Sequence, residues 1–398
     1  MRISKLKVLY NKISIGTIAQ KNNKIYFEYD KEFLKTGIEL SPYKLPLKAG
    51  VQRCDDDIFE GLWGIFADSL PDGWGRLLMD RHLIRLGFNP KSLTPLDRLS
   101  YVGEYGMGAL RYEPVKEMDE PIGEIILDSL AQSSEAILEG SSETMLDELL
   151  ALSGSSAGAR PKVLVQLSDD KKEIMHGRQK LKDGFSHYMI KFSNSLDGRE
   201  SGAVEYAYSL MAKEAGIEMP QTALIEGKYG RYFAIERFDR VGDERMHMHS
   251  VAGLVHADFR FPALDYDDLM RLTLHLTKSY EDVRKMFRLA CFNLFTHNRD
   301  DHAKNFSFLM DDNGMWSLSP AYDLTFSYGV GAEHSTMYGG EGKNPTSVHL
   351  LELAKKFNIK EAKEIIVEVK EVAAGFEKIA IELDISKRVV SSITKRFI

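Results

Sequence analysis

The densest run of chemically capable side chains is His297-Asn298-Arg299-Asp300-Asp301-His302-Ala303-Lys304-Asn305, in which eight of nine residues are polar. It follows an apolar helical pattern and precedes a strand pattern, so it lies where a core element opens to solvent. Cations near a helix C-terminus complement the helix dipole, which accounts for one or two of these residues and not for the rest. Two chemistries compete for the cluster. Imidazole and carboxylate are usual ligands of transition metals, so His297, Asp300, Asp301 and His302 could hold one for hydrolysis. Alternatively, Asp300 is a base and Asn305 a ligand for Mg²⁺.

The spacing favours the second chemistry. In protein-kinase catalytic loops, an aspartate that orients a hydroxyl precedes a Mg²⁺-binding asparagine by five residues. Asp300 and Asn305 have that separation. A further carboxylate, Asp323 in Pro320-Ala321-Tyr322-Asp323, follows a short hairpin pattern. Mg²⁺ takes one or two protein carboxylates together with phosphate oxygens, a set that Asp323 and Asn305 could complete.

A phosphate chain also needs a cradle and a cation. Gly154-Ser155-Ser156-Ala157-Gly158-Ala159-Arg160-Pro161-Lys162 precedes a strand pattern, and its small residues let backbone N–H groups approach an anion. It lacks the Gly-Lys-Ser/Thr of a Walker loop, and it reads equally as a flexible linker. Lys191 lies within the apolar strand Tyr188 to Phe192. It either faces water from a sheet edge or is buried against an anion, with Glu205 as one candidate partner. Glu236-Arg237-Phe238-Asp239-Arg240 leaves an apolar strand, either as a charged exit or as backbone offered to an adenine edge. His247, His249 and His256 have neither nearby cysteine nor regular spacing and read as polar loop or surface groups.

The elements that must position these groups follow from periodicity. Leu6, Val8 and Tyr10 alternate, as do Ile25, Phe27 and Tyr29 after an Asn22-Asn23 turn, so the chain opens with strands. Ser69-Leu70-Pro71-Asp72-Gly73-Trp74-Gly75 enters a helix that carries Leu77, Leu78, Leu83 and Leu86 and stops at Gly87. A strand at 109–112 and an acidic stretch at 114–142 follow, then a short helix over 143–152. Strands at 162–166 and 187–192 flank a helix over 204–215, and a hairpin spans 222–237. A helix from Tyr280 to about His297 carries an apolar stripe of Val283, Met286, Phe287, Ala290 and Leu294. The glycine-rich stretch from Tyr328 to Lys343 reads as a long mobile loop, and two or three helices close the chain. Strands first and helices after them predict an α+β protein with two lobes.

Composition sets the outer limits. The chain has 398 residues, 43% of them apolar, enough for two or three cores and too apolar for disorder. Its formal charge of −7 argues against whole-surface binding of nucleic acid. Cys54 and Cys291 cannot build a disulfide framework and read as reduced thiols. The N-terminal residues show no signal-peptide pattern, and no apolar run approaches the roughly 18 residues of a membrane span. The expected location is the cytoplasm.

The sequence resembles the HipA-type serine/threonine kinases, toxins of bacterial type II toxin–antitoxin modules. The resemblance runs over nearly the whole chain. It rests on residues 66–76 and 106–110, and more specifically on Asp300-Asp301-His302-Ala303-Lys304-Asn305-Phe306-Ser307 and Pro320-Ala321-Tyr322-Asp323-Leu324. It implies a small β-rich N-terminal domain (1–115) and a protein-kinase-like bilobal fold. That fold would comprise an N-lobe region with the nucleotide loop (116–240) and a mainly helical catalytic C-lobe (241–398).

By this similarity Asp300 would be the catalytic base, and Asn305 and Asp323 the Mg²⁺ ligands. Asp301 offers a second carboxylate, but the position two before His302 and five before Asn305 favours Asp300. ATP would be bound by Ala157, Gly158, Ala159, Arg160, Pro161 and Lys162 of the loop, by the phosphate-binding Lys191, and by Glu236, Arg237 and Phe238 at the adenine. His302, Lys304 and Tyr322 would complete that site. Ser155, with Ser156 beside it, would be a site of inhibitory autophosphorylation. The implied partners are a helix-turn-helix antitoxin, DNA only through that antitoxin, and a protein substrate of the aminoacyl-tRNA synthetase class, with no membrane. Three functions are therefore set against one another: a toxin kinase, a catalytically silent co-repressor, and a metal-dependent hydrolase built on His297, Asp300, Asp301 and His302.

Overall fold

The structure is a computed structural model and describes residues 3–116, 125–154, 158–193, 198–262 and 264–397. The opening alternation produces a five-stranded antiparallel sheet. Its order is Val51–Arg53, Lys24–Tyr29, Ile13–Lys21, Lys5–Tyr10 and Leu110–Glu113. Leu6, Val8, Tyr10, Ile25, Phe27 and Tyr29 all turn into one core with Trp63, Phe66, Leu96 and Leu99, as a period of two requires.

A second antiparallel sheet runs Ile174–His176, Lys162–Ser168, Phe185–Lys191, Arg231–Glu236 and Thr222–Glu226. Every residue of Lys162–Ser168 is buried. One face of this sheet is covered by helix Leu127–Glu139, which lies in the acidic stretch and buries Leu127, Leu130, Ser134 and Ile137. The same core takes Trp74, Leu78, Met79 and Leu83 from helix Gly73–Arg85, while Leu86, expected on that face, is exposed. Gly87 has φ +81° and ends the helix as expected.

The third core is helical and larger. Ser201–Glu214 buries Ala203, Ala207, Tyr208 and Met211, and Tyr280–Phe295 buries the whole anticipated stripe. Helix Tyr266–Thr277 starts in a capping box, where Asp265 and Asp268 satisfy reciprocal N–H groups. Among the described residues four helices close the chain rather than two or three, because Gly375 separates Ala362–Ala374 from Phe376–Glu382 before Lys387–Thr394. Among the described residues no helix is long and apolar enough to cross a membrane. Cys54 and Cys291 are buried free thiols.

Two expectations fail here. His247, His249 and His256 are buried, not surface groups. His249 Nδ1 meets Asp68 Oδ2 at 2.6 Å and His256 Nδ1 meets Asp56 Oδ2 at 2.9 Å, while His247 Nε2 reaches the Leu40 carbonyl at 2.9 Å. Their role is to tie the N-terminal residues to the helical part. The stretch from Tyr328 to Lys343 is likewise pinned rather than loose. Thr336–Met337 pairs with Leu264–Asp265, and Tyr338 Oη donates to the Ala290 carbonyl at 2.9 Å.

Candidate active site

A cavity of about 700 Å³ lies between the second sheet and the helical part. Cross-strand register decides its upper wall. Lys162 and Lys191 stand directly opposite each other on neighbouring strands, a like-charge pairing that is unfavourable unless anions intervene. Both are nearly inaccessible, at 3% and 7% exposure. Lys191 Nζ contacts Glu205 Oε1 and Asp323 Oδ1, each at 2.5 Å, so Glu205 is a partner of that lysine. Burial opposes charge on Lys191, but Asp323 and Glu205 overcome it and raise its pKa. Lys162 fares differently: burial and the neighbouring Lys191 push it down to about 8. Asp323 is held below the usual carboxylate range by Lys191 and Lys162 against the opposing effect of burial. Its φ of +56° is unusual outside glycine, and such strained backbone concentrates at functional sites.

The lower wall comes from the turn after helix Tyr280–Phe295. His297 takes φ +55° and redirects the chain, its Nδ1 at 3.0 Å from the Ser327 carbonyl. A single 3-10 turn, Ala303–Asn305, follows, capped where His302 Nδ1 accepts the Lys304 N–H at 3.2 Å. Asn305 Nδ2 donates to the Asp300 carbonyl at 2.7 Å, closing the five-residue loop and leaving Oδ1 for other partners. The Asp300 side chain is 57% exposed in the cavity, with His302 Nε2 at 3.9 Å. Enclosure by the cleft raises its pKa, His302 works the other way, and Asp323 and Asp301 add to the rise.

Asp301 belongs to a different task. It is buried, and it accepts from Tyr266 Oη at 2.9 Å, from the Ser335 N–H at 2.8 Å and from the Thr336 N–H at 3.2 Å, with His334 Nδ1 at 2.9 Å. Tyr266 Oη in turn receives Asn293 Nδ2, whose Oδ1 receives Asn298 Nδ2. Arg299 reaches the Ala332 and Lys343 carbonyls. Thus Arg299 and Asp301 fasten the segment 328–343 beside Asp300, while His297 meets Ser327 just before it and Asn298 braces Asn293, which explains most of the polar run without metal ligation. Among the described residues no three His, Cys, Asp or Glu side chains converge as a metal site, so the four-residue hydrolase centre is not assembled. Asp301→Asn should lower stability by roughly 2–5 kcal/mol, since one of two buried acceptor oxygens becomes an N–H₂ donor that faces other donors. Chemical denaturation and proteolysis near Lys343 would read this. An unchanged midpoint would show that the network is not what fastens the segment.

The remaining candidates are placed as follows. Gly158, Ala159 and Arg160 line the cavity, with Arg160 Nη1 at 3.5 Å from Glu205 Oε2. Pro161 continues the strand register, its carbonyl accepting the Phe192 N–H at 2.9 Å. Ser155, Ser156 and Ala157 lie outside the described residues. Glu236, Arg237 and Phe238 reach the cavity, but the Arg237 guanidinium is taken up by Asp239 in two bonds of 2.9 and 2.8 Å. The Phe238 and Tyr322 rings lie 5.5 Å apart, forming an aromatic wall, and Tyr322 Oη donates to the Lys304 carbonyl at 2.6 Å.

Two cavity residues were not singled out from the sequence for a role in the site. The Asp72 carboxylate accepts the Gly158 N–H and pairs with Lys304 Nζ, so it joins the glycine segment to the turn that carries Asp300 and Asn305. Gly73 has φ +42°, and a Cβ there would fall 2.5 Å from the Gly158 carbonyl oxygen, so the approach needs glycine. The available signal was Pro71-Asp72-Gly73-Trp74, which reads as a helix entry and carries part of the family resemblance but no role in the site.

Comparison with known proteins adds the following. The family described as "HipA-like C-terminal domain" matches residues 154–376, and "HipA N-terminal domain" matches residues 6–113. The curated "Putative kinase Y4dM" of Sinorhizobium fredii is 28% identical over 166 residues, which cover 38% of this chain and 40% of that protein. A Haemophilus influenzae protein that shares the first two words of that name is 24% identical over 187 residues, covering 43% and 52% respectively. The alignments thus span about half or less of these relatives. Among solved structures, HipA in the Shewanella oneidensis toxin–antitoxin complex with HipB and operator DNA has the same fold. Its TM-score is 0.70 at 18% identity, over 98% of this chain and 94% of that one.

Proposed function

The chain belongs to the HipA family, and on that premise we propose that it is an ATP- and Mg²⁺-dependent protein serine/threonine kinase acting as a toxin. The observation that carries this reading is the convergence of Asp300, Asn305 and Asp323 on a cavity whose facing wall presents Lys162 and Lys191. The curated relatives named as kinases support it. The donor set fits the expected ion: Asn305 Oδ1 is left over by the Asp300 contact, and Asp323 keeps one oxygen beyond its Lys191 contact. Bound there, Mg²⁺ would neutralise charge on the phosphate chain.

Lys162 and Lys191 hold the phosphates from the sheet side, and His302 and Lys304 approach them from the turn. Phe238 and Tyr322 flank the base beside the backbone of 236–238. Asp300 orients the substrate hydroxyl and takes its proton as oxygen attacks the γ-phosphorus and the bond to ADP breaks. Ser155 is the proposed inhibitory autophosphorylation site. We further propose a DNA-binding antitoxin as partner, with DNA contacted through it, because the Shewanella relative is found with HipB and operator DNA. An aminoacyl-tRNA synthetase remains the proposed substrate class, the chain is assigned as 1–115, 116–240 and 241–398, and the cytoplasm is its proposed location. Incubation with γ-labelled ATP and Mg²⁺, followed by peptide mapping, tests the activity. No label on any protein, with the fold intact, would leave the silent co-repressor.

The titrations give this reading a pH signature. Asp300 must be deprotonated, so kcat/KM falls as pH drops through a pKa that burial in the cleft raises from its ordinary value. Lys162 must be charged, so the rate for free enzyme and ATP falls as pH rises through about 8. A bell-shaped profile is expected, and Lys162→Arg should move the alkaline limb upward. A rate that does not fall as pH rises through about 8 would contradict the Lys162 assignment, and a rate that does not fall as pH drops through the acid range would contradict that of Asp300.

A further inference from the structure

A second pocket, of about 210 Å³, lies on the far side of Arg237 from the main cavity, against Gly154 and Leu164. Six cationic side chains face it: Arg111, Arg178, Lys180, Arg237, Arg240 and Arg245. The carboxylates at hand are Glu104 and Asp243 on the wall and Asp239 behind it. This is a local excess of positive charge in a chain whose formal charge is −7.

The arginines do not find equal partners. Arg237 and Arg240 share the single carboxylate of Asp239. Arg245 is 7% exposed, and its hydrogen bonds go to the main-chain carbonyls of Gly106 at 2.7 Å, Gly108 at 2.9 Å and Glu104. The Glu104 carboxylate itself pairs with Arg111 at 3.2 Å, and among the described residues no acceptor reaches the enclosed Arg111 Nε. Burial together with Arg237 lowers Arg245 to about 10, and burial with Arg237 and Arg240 lowers His187 to about 4. Cations packed so closely raise one another's energy, and the natural relief is an anion that several of them can bind at once. Arg178 stacked 4.1 Å above the Tyr105 ring forms a flat side wall for such a guest.

We infer that this pocket binds the phosphate group of a small molecule, either inorganic phosphate or a phosphate monoester. Its volume suits one phosphate with a few attached atoms, and planar guanidinium groups match phosphate oxygens in pairs. The inference does not depend on the kinase activity. It is tested by isothermal titration of inorganic phosphate into the full chain without nucleotide, beside the double variant Arg111→Gln/Lys180→Gln. Neither residue has a part in the main cavity. The expected result is saturable binding that weakens at least about tenfold in the variant, while its melting temperature without phosphate stays unchanged. A parallel titration with glycerol 3-phosphate separates the sources: tighter binding than phosphate assigns an ester, weaker binding assigns the free ion. Equal affinity in the variant would place the phosphate in the main cavity and overturn the inference. An equal response to chloride at matched ionic strength, or no saturable heat, would overturn it as well.

Discussion

Asp300→Asn is expected to lower phosphate transfer by roughly 10²- to 10⁴-fold, the contribution of a positioned general base. The substitution keeps the shape of the side chain, and the Asp300 contact that closes the turn is made by its main-chain carbonyl to Asn305. The turn should therefore survive. Nothing buried depends on the carboxylate, which is 57% exposed and only 3.9 Å from His302. Melting temperature should be unchanged or slightly higher, because removing a carboxylate beside Asp323 relieves like-charge repulsion. The KM for ATP should move little, so the loss falls on kcat. Label transfer at the wild-type rate would remove Asp300 from the mechanism, and a loss confined to KM would make it a binding residue.

Asp323→Asn should be comparably damaging to transfer, about 10³-fold, and unlike Asp300→Asn it should also cost stability. Asp323 is tied to Lys191 at 2.5 Å, and Lys191 stands opposite Lys162 across the sheet. The amide leaves Lys191 with Glu205 alone and removes charge that both lysines need. A loss of about 1–3 kcal/mol is expected from the missing charged contact. The linkage carries a sign. The Asp323 pKa is depressed in the folded protein, so its contribution is present above the unfolded value and is lost as pH falls. The stability gap between wild type and Asp323→Asn should therefore be full near neutrality and close in acid. A constant gap across the acid range would mean that the ion pair contributes nothing. High activity in Asp323→Asn would separate this residue from the metal.

The closeness of Asp300 and Asn305 was legible in the sequence for a physical reason. Asp300 and Asn305 are five apart within one turn, and local geometry is what spacing encodes. Strand alternation at Leu6 to Tyr10 and the stripe on Tyr280–Phe295 were readable for the same reason, since the period determines which side chains are buried. What could not be read was whatever joins distant segments. Lys162 and Lys191 face each other only through strand register, and Glu205 completes that group from a helix. Asp72 meets Gly158 and Lys304 across 86 and 232 residues of sequence. The histidines at 247, 249 and 256 looked like surface groups because their partners, Leu40, Asp68 and Asp56, lie some 200 residues earlier. The segment 328–343 looked loose because glycine content is a local signal, whereas Asp301 and Arg299 fasten it from outside.

One ion and one triphosphate are expected to join the two walls of the cavity. A crystal structure with Mg²⁺ and a non-hydrolysable ATP analogue tests it most directly. The expected result is an ion bound by Asp323 and Asn305 Oδ1, phosphates against Lys162 and Lys191, and the Asp300 carboxylate facing the γ-phosphate with room for a hydroxyl. A nucleotide bound elsewhere, or an ion that ignores both Asp323 and Asn305 while the phosphates avoid the lysine pair, would contradict it.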